Sequence, residues 1–520
     1  MSGNKRDMVI HLTEVTTLAA RGTSVFLSQS MISGILRILN IAILTRLLFQ
    51  EQMGQIAFLG IIYGLMQILG SLGLNHASPL VIPEEEKLGS SNRLKSYLKR
   101  SLIVIVFTSS ALTILLLFLS PILFSSINVS QSLIQLVILI GPFSALEVFL
   151  DSFLLGRYSI KKLAVGRLFF DIIRISLTIL LVIAGFGVEG VMIGWLVSEI
   201  FAVFAFGAAS IQGLKSSSQI VKMTPILTFA LPSFLFQLID VTIQNTDRII
   251  LLQLSDLATL GVFDVFLRVL FMLSLVSLTI STSIYPLVTR FRVKMNEEDE
   301  SVDHMGVVTA TLLRYIFLII GPVAIVAALN SNTIITMLFG SGYADFPNAS
   351  FSFSILVLSY ALWAMVYGIH TILRSMGEAR FFVVAGVGII AFEIVACWYF
   401  TEYFGLLGTS VVRSLYIALL FVTALGRLHQ RGVKGFAVVT KSILRIGIIS
   451  VICGLVVVFA FPYDFISLVF WILLSAMIYL VLTFVTREII DLDFTIAKAI
   501  LPSKMHGVID RIRGSYTKEG

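Results

Sequence analysis

The chain has 520 residues, 57% of them hydrophobic and 13% charged, with a mean hydropathy of +0.98 and a formal net charge of +7. Soluble globular chains carry about 25% charged residues, so this composition excludes a water-soluble enzyme and describes an all-α polytopic membrane protein. Cys397 and Cys453 each sit in an apolar stretch, lack the paired spacing of a zinc or redox site, and read as small buried hydrophobes.

A polar N-terminus, residues 1–21, leads into a hydrophobic run too long for a signal-peptide core and without a cleavage pattern after it, so the first helix is expected to be retained. In chain order, apolar runs near the roughly 20 residues that cross a bilayer fall at 22–45, 55–74, 101–124, 133–155, 169–185, 190–209, 226–251, 262–289, 308–328, 351–372, 381–400, 405–424, 446–461 and 466–486. Lys and Arg gather on the cytoplasmic side of short loops. With the N-terminus inside, thirty of the 37 basic residues fall on cytoplasmic segments. Arg46 and Arg248 lie outside, and Arg37, Arg174, Arg268, Arg314 and Arg413 fall within helices. This alternation requires an even number of spans and puts both termini in the cytoplasm. The basic loops explain the net charge through contact with anionic headgroups, without any nucleic acid. The tail, 487–520, carries Arg511 and Arg513 in an amphipathic pattern and is expected to form an interfacial helix.

Two landmarks recur. Leu154-Leu155-Gly156-Arg157 is followed by Phe186-Gly187-Val188-Glu189-Gly190, and Leu373-Arg374 is followed at nearly the same spacing by Phe404-Gly405-Leu406-Leu407-Gly408. The first and seventh helices each end in an arginine, Arg46 or Arg248, before a short loop and Gly54 or Gly261. The expected organisation is therefore two six-helix bundles, 22–213 and 222–427, then helices thirteen and fourteen at 446–486. Six helices per copy keep both in one orientation, related by a pseudo-two-fold axis along the membrane normal, an arrangement that transporters use to place a substrate site between halves.

Ionisable groups in hydrocarbon are costly and tend to face a cavity or a partner. On the first helix Ser30, Ser33, Arg37 and Asn40 share one face, and on the seventh Ser233, Gln237, Asp240, Gln244 and Asp247 do the same. These stripes either line a shared cleft, with Arg37 and Asp240 near mid-depth, or bond helix to helix. Asp171 with Arg174, and Asp264 with Arg268, are spaced to pair within their own helices. Glu147, Glu199 and Glu393 are isolated acids within spans, each either a proton or sodium site or an interhelical hydrogen-bonding group. Arg46, Asp247, Arg248 and Asp264 join them as candidates for gating or coupling. His370 reads as a structural histidine, and Pro232 and Pro286 as bends. Phosphate-binding loops, His-Glu-x-x-His and serine elbows are absent from the sequence, so no catalytic or metal-binding role is expected. Asp491 and Asp493 read as a chance match, and the sequons at Asn128 and Asn348 fall on expected outer loops.

Several segments carry a family resemblance. Thr45-Arg46-Leu47-Leu48 running to Met53-Gly54, Thr246-Asp247-Arg248-Ile249-Ile250-Leu251 leading to Leu260-Gly261-Val262-Phe263, Leu338-Phe339-Gly340 with Tyr343, and Phe404-Gly405-Leu406-Leu407-Gly408 resemble, in order and spacing, the polysaccharide-transporter (Wzx-type) branch of the multidrug/oligosaccharidyl-lipid/polysaccharide (MOP) exporter superfamily. Phe49-Gln50 stands where that family has Gly-Pro, and Phe263 where it has tyrosine. The resemblance implies a MOP/MATE-like fold and a flippase. Such a protein carries a polyprenyl-linked oligosaccharide to the outer leaflet of the cytoplasmic membrane by alternating access, without a cofactor and with proton or sodium coupling open. Its other partners would be membrane lipids and glycan polymerase or transferase proteins. Arg37 would then offset phosphate charge, Asn40, Gln237, Asp240 and Gln244 would suit sugar hydroxyls, and Ser33 and Arg268 would line the same cavity. The alternatives are a cation-coupled drug exporter of the same superfamily, which calls for an acid-dominated cavity, and a membrane scaffold of a glycan-assembly complex, which needs no polar lining.

Overall fold

The computed structural model describes residues 28–87, 91–214, 223–274, 277, 300–376, 378–431, 433, 436–460, 462, 464–486, 488 and 507. All regular structure among them is helical. In a bilayer this follows from the backbone, because a helix satisfies every N–H and C=O without a partner strand. The elements are α1 (Ser28–Leu47), α2 (Gln50–Ser71), α3 (Leu74–Lys87), α4 (Ser91–Leu123), α5 (Gln131–Gly156), α6 (Ile160–Leu181), α7 (Gly187–Ile211), α8 (Met223–Leu254) and α9 (Leu257–Ser274). They continue as α10 (Glu300–Leu329), α11 (Ser331–Phe339), α12 (Ser341–Ala344), α13 (Ala349–Ser375), α14 (Ala379–Gln430), α15 (Phe436–Ala460) and α16 (Phe465–Val485).

Among the described residues, twelve continuous helices are long and apolar enough to cross a membrane. Two of them, the 52-residue Ile160–Ile211 and the 47-residue Val384–Gln430, are double-length, and each folds back on itself at glycine. Gly187 has φ 51° and ψ −131°, and Gly405 has φ 52° and ψ −126°, a conformation that only glycine adopts readily. Beyond the first turn, Gly194 packs on the backbone and side chain of Thr178. After the second, Val412 packs with Ala396 and Cys397. A straight helix would hold residues sixteen positions apart about 24 Å from one another. Each long helix is therefore a hairpin of two crossings, and the twelve helices correspond to the fourteen expected spans, the eighth of them described as far as Ser274. The two hairpins have the same register: Thr178, Gly187 and Gly194 stand to Ala396, Gly405 and Val412 at one common offset. The sequence repeat is thus also a repeat of backbone conformation.

Two stretches read as loops in the sequence are helical. Residues after the second span continue, past Leu72 at φ 48°, as α3, despite Pro79 and Pro83. Leu74, Ala77 and Ile82 bury with Tyr97, Phe149 and Phe153, and that packing outweighs the two lost N–H donors. Likewise α11 and α12 occupy the stretch after the ninth span. There Phe339 and Tyr343 lie 6.2 Å apart, ring to ring, and Phe339 is also 6.2 Å from Phe266, which gives the Leu338-Phe339-Gly340 motif with Tyr343 a packing role. Both cysteines are buried and free. Pro286, the end of the eighth expected span and nearly all of the tail, with Asp491, Asp493, Arg511 and Arg513, lie outside the described residues.

The chain divides into two compact units. The first comprises Met1–Leu275, Leu338–Ser352 and Val383–Tyr416; the second comprises Val276–Met337, Phe353–Phe382 and Ile417–Gly520. Within the second, Tyr479 of α16 donates to the Leu318 carbonyl of α10 at 2.8 Å, and Asn330 donates to the Gly454 carbonyl of α15 at 3.2 Å. Glu378 is gripped by Arg427, at 2.7 Å, and by Arg431. The polar residues singled out in the sequence as site candidates lie in the first unit.

Candidate functional site

Built from the residues upward, the first unit contains two charged clusters. In the N-terminal one, Arg37 of α1 donates to Asp171 of α6 at 3.1 Å; the arginine side chain is 63% exposed and the aspartate side chain 5%. One helix turn on, Arg174 bonds Glu199 of α7 at 3.6 Å. Its guanidinium lies over the rings of Trp195 at 4.3 Å and Tyr63 at 5.3 Å. The Tyr63 hydroxyl donates to the same glutamate, which is fully buried. Asp151 of α5 takes a bidentate bond from Arg167, with its Nε at 2.6 Å, and Glu147 lies within electrostatic reach of Glu199, Asp151, Arg167 and Arg174.

The expected Asp171–Arg174 pair inside α6 is therefore corrected: each residue is satisfied by a different helix. The spacing permitted the local pair, but α1 and α7 bring partners from across the bundle, and stacking on Trp195 draws Arg174 toward α7. Glu199 is likewise not isolated.

The second cluster gathers α8, α9 and α14. Asp247 bonds Arg413 at 2.9 Å with both side chains nearly excluded from solvent. Arg248 bonds Asp264 at 3.0 Å, and Arg268 reaches the same carboxylate from one turn along α9, so the local Asp264–Arg268 pair forms and gains a third member. Glu393 is fully buried beside Asp247 and Arg413, with neither carboxylate oxygen hydrogen-bonded. The polar stripe of α8 is half open. Gln244 donates to Asp240 at 2.8 Å, and Gln237 accepts from Asn75 of α3 at 3.2 Å. On α1, Ser33 accepts from Gln29 at 2.8 Å, and the Asn40 carbonyl oxygen is buried without a partner. Arg46 is exposed at the end of α1.

Arg37 and Asp240 each have another partner and do not pair with each other. The clusters thus contain most of the candidates but wire them differently. Asp151, Arg167, Tyr63, Trp195 and Asn75 enter the site without having been singled out, because their partners come from other helices and leave no periodic signal. Arg413 had a signal, a lone charge within a span. The arrangement presents several arginines, each backed by a more deeply buried carboxylate, on helices otherwise made for lipid. Its chemistry is that of paired arginines and carboxylates with amide side chains beside them.

The profile of a family described as polysaccharide biosynthesis protein matches residues 43–347, more than half of the chain. Comparison with curated protein sequences gives no match. Among solved structures, the lipid II flippase MurJ in an inward closed conformation superposes with a TM-score of 0.70 at 16% identity, covering 89% of this chain and 98% of that one. An inward-facing multidrug resistance MATE transporter of the MOP superfamily gives 0.58 at 16% identity, covering 78% and 98%. A MOP superfamily transporter from Pyrococcus furiosus, described as having a binding pocket of reversed polarity, gives 0.56 at 13% identity, covering 80% and 95%. At such identities the likeness shows the fold: a MOP-type polytopic helical bundle.

Proposed function

The chain belongs to the polysaccharide biosynthesis protein family, and on that premise we propose that it is a flippase for a polyprenyl-linked oligosaccharide in the cytoplasmic membrane, with both termini cytoplasmic. The observation that carries this reading is Arg37. A guanidinium exposed in the middle of an apolar span is costly against lipid tails, which favours an open side that faces water or cargo. Asp171 holds it at one edge, leaving the rest of the planar fork to meet a phosphate. Gln237, Asp240 and Gln244 along α8 supply the donors and acceptors that sugar hydroxyls require. The headgroup crosses through the polar interior by alternating access while the polyprenyl tail stays in the bilayer. Proton coupling, sodium coupling and downhill consumption of cargo are all compatible with this site, and a glycan polymerase or transferase is the expected protein partner.

The test is complementation of a strain lacking its oligosaccharide-lipid flippase, at matched membrane levels, with wild type, Arg37→Ala and Asp240→Ala. The expected result is surface glycan restored by wild type and lost in Arg37→Ala. Restoration by every variant would return the stripes to interhelical bonding. Failure of wild type together with raised drug tolerance would make the protein a small-molecule exporter.

A further inference from the structure

Helix α3, which crosses no membrane, begins against α8 and advances along it. A Cβ on Gly73 would lie 2.4 Å from the Ala230 carbonyl oxygen and 2.9 Å from the Phe234 nitrogen. Asn75 donates to Gln237 at 3.2 Å. His76 comes next, and among the described residues the charged group that acts on it is Asp240, one turn beyond Gln237. Positions 73, 75 and 76 thus meet α8 at successively later positions, which carries the imidazole toward the open part of the polar stripe.

The backbone beneath His76 is fixed. Its N–H and that of Ala77 both donate to the Gly73 carbonyl at 3.1 Å, and Leu74 and Ala77 are fully buried. Asn75 is buried too, accepting from Ser71 at 3.4 Å, and Gln237 donates in turn to the Ser233 carbonyl at 3.3 Å. Those amides hold α3 to α8. By contrast His76, Asp240 and Gln244 are exposed. A carboxylate exposed within a span is costly against lipid tails, so Asp240 favours the same polar surroundings as Arg37. A neutral imidazole offers one donor and one acceptor, and a carboxylate acceptors only. Side by side on a rigid backbone, they match adjacent sugar hydroxyls, each of which both donates and accepts, whereas a phosphate would be repelled by Asp240.

We propose that His76 is a sugar-binding residue of the cargo site, taking with Asp240 the hydroxyls of an uncharged sugar in the headgroup and leaving the phosphate to Arg37. This rests on the flippase reading and names the part of the cargo that α3 recognises. On the topology that the basic residues imply, the contact lies toward the cytoplasmic half of α8. Desolvation lowers the His76 pKa from the ordinary imidazole value, with Asp240 opposing, so the ring is neutral at neutral pH. Acid reverses its role: a protonated ring has donors only and pairs with Asp240, which withdraws both groups from the sugar. The other helices packed against α3 bring Tyr97 of α4, bonded to Ser78 at 2.8 Å, and Phe149 and Phe153 of α5. Among the described residues no charge on either helix acts on the ring.

The experiment extracts the full chain in mild detergent from the complemented strain and measures the strain's own polyprenyl-linked glycan that co-purifies, at neutral and at acid pH. Wild type is expected to retain glycan at neutral pH and to lose it as pH falls through the lowered histidine value. His76→Ala should retain about threefold to tenfold less at neutral pH, the weight of one hydrogen bond, with an unchanged thermal unfolding midpoint. His76→Gln, which keeps a donor and an acceptor but does not titrate, should retain glycan at both pH values. Retention by His76→Ala equal to wild type overturns the proposal, as does a lowered midpoint in His76→Ala, which would make the residue structural. Retention by His76→Gln no better than by His76→Ala, or an acid loss that persists in His76→Gln, also overturns it. If wild type itself retains no glycan, the flippase reading falls and the sugar site with it; if wild type retains glycan and only the His76 expectations fail, the flippase reading stands alone.

Discussion

Arg37, Asp247 and Asp464 show how differently single charged residues behave in this chain. Arg37 is exposed and held at one edge, so Arg37→Lys, which keeps the charge but loses the fork, is expected to retain folding and membrane level while losing most glycan export; the complementation assay at matched expression checks this. Asp247 and Arg413 are buried together. Removing one partner of such a pair costs about 3–5 kcal/mol, because the other is left uncompensated, whereas an apolar pair of similar volume is tolerated. Asp247→Ala should therefore lower the thermal unfolding midpoint in detergent markedly, and Asp247→Leu with Arg413→Leu should recover most of it. If the double variant is stable but inactive, the pair serves transport rather than folding.

Asp464 caps α16, accepting from the Ser467 N–H at 2.7 Å, and its hydrogen bonds hold its pKa below the usual aspartate value. A depressed folded-state pKa means that the cap stabilises fully above the ordinary aspartate range and is lost as pH falls through the lowered value. The protection factor for hydrogen exchange at the first turn of α16, taken against the intrinsic rate at each pH, should fall only at acid pH, and Asp464→Ala should remove that dependence.

At the scale of elements, the two hairpins and α3 carry the argument. Gly187 and Gly405 occupy the same left-handed conformation, so Gly187→Ala and Gly405→Ala should each destabilise by about 1–3 kcal/mol, and by similar amounts, as read by thermal unfolding. Unequal costs would mean that the second turn is not a copy of the first. Spans were legible because a bilayer demands long apolar runs, and the hairpin turns because glycine has to stand where the chain reverses. The helix α3 was not legible, since Pro79, Pro83 and three acids disguise it and only burial against Tyr97, Phe149 and Phe153 makes it worthwhile.

For the whole molecule, the distribution of Lys and Arg implies that the termini share a side opposite to the 124–130 and 345–348 turns. Reporters that are active on only one side of the membrane, fused after residue 520 and inserted beside Asn348, which is exposed in a turn, should give opposite signals. Equal signals would overturn the topology and with it the proposed direction of export.

The sequence by itself determined the helical class, the long apolar spans, the two glycine turns and the identity of the charged residues within spans, since all of these follow from the local cost of polar groups in hydrocarbon and from glycine's freedom at turns. Tertiary structure alone decided which charge meets which. Asp171 and Arg174 are neighbours on one helix, yet one bonds to α1 and the other to α7, and Glu199 acquires both an arginine and a tyrosine. Ion pairing in low dielectric is won by whichever partner packing brings closest with the best geometry, and packing of α1, α6 and α7 is a property of surfaces far apart in sequence.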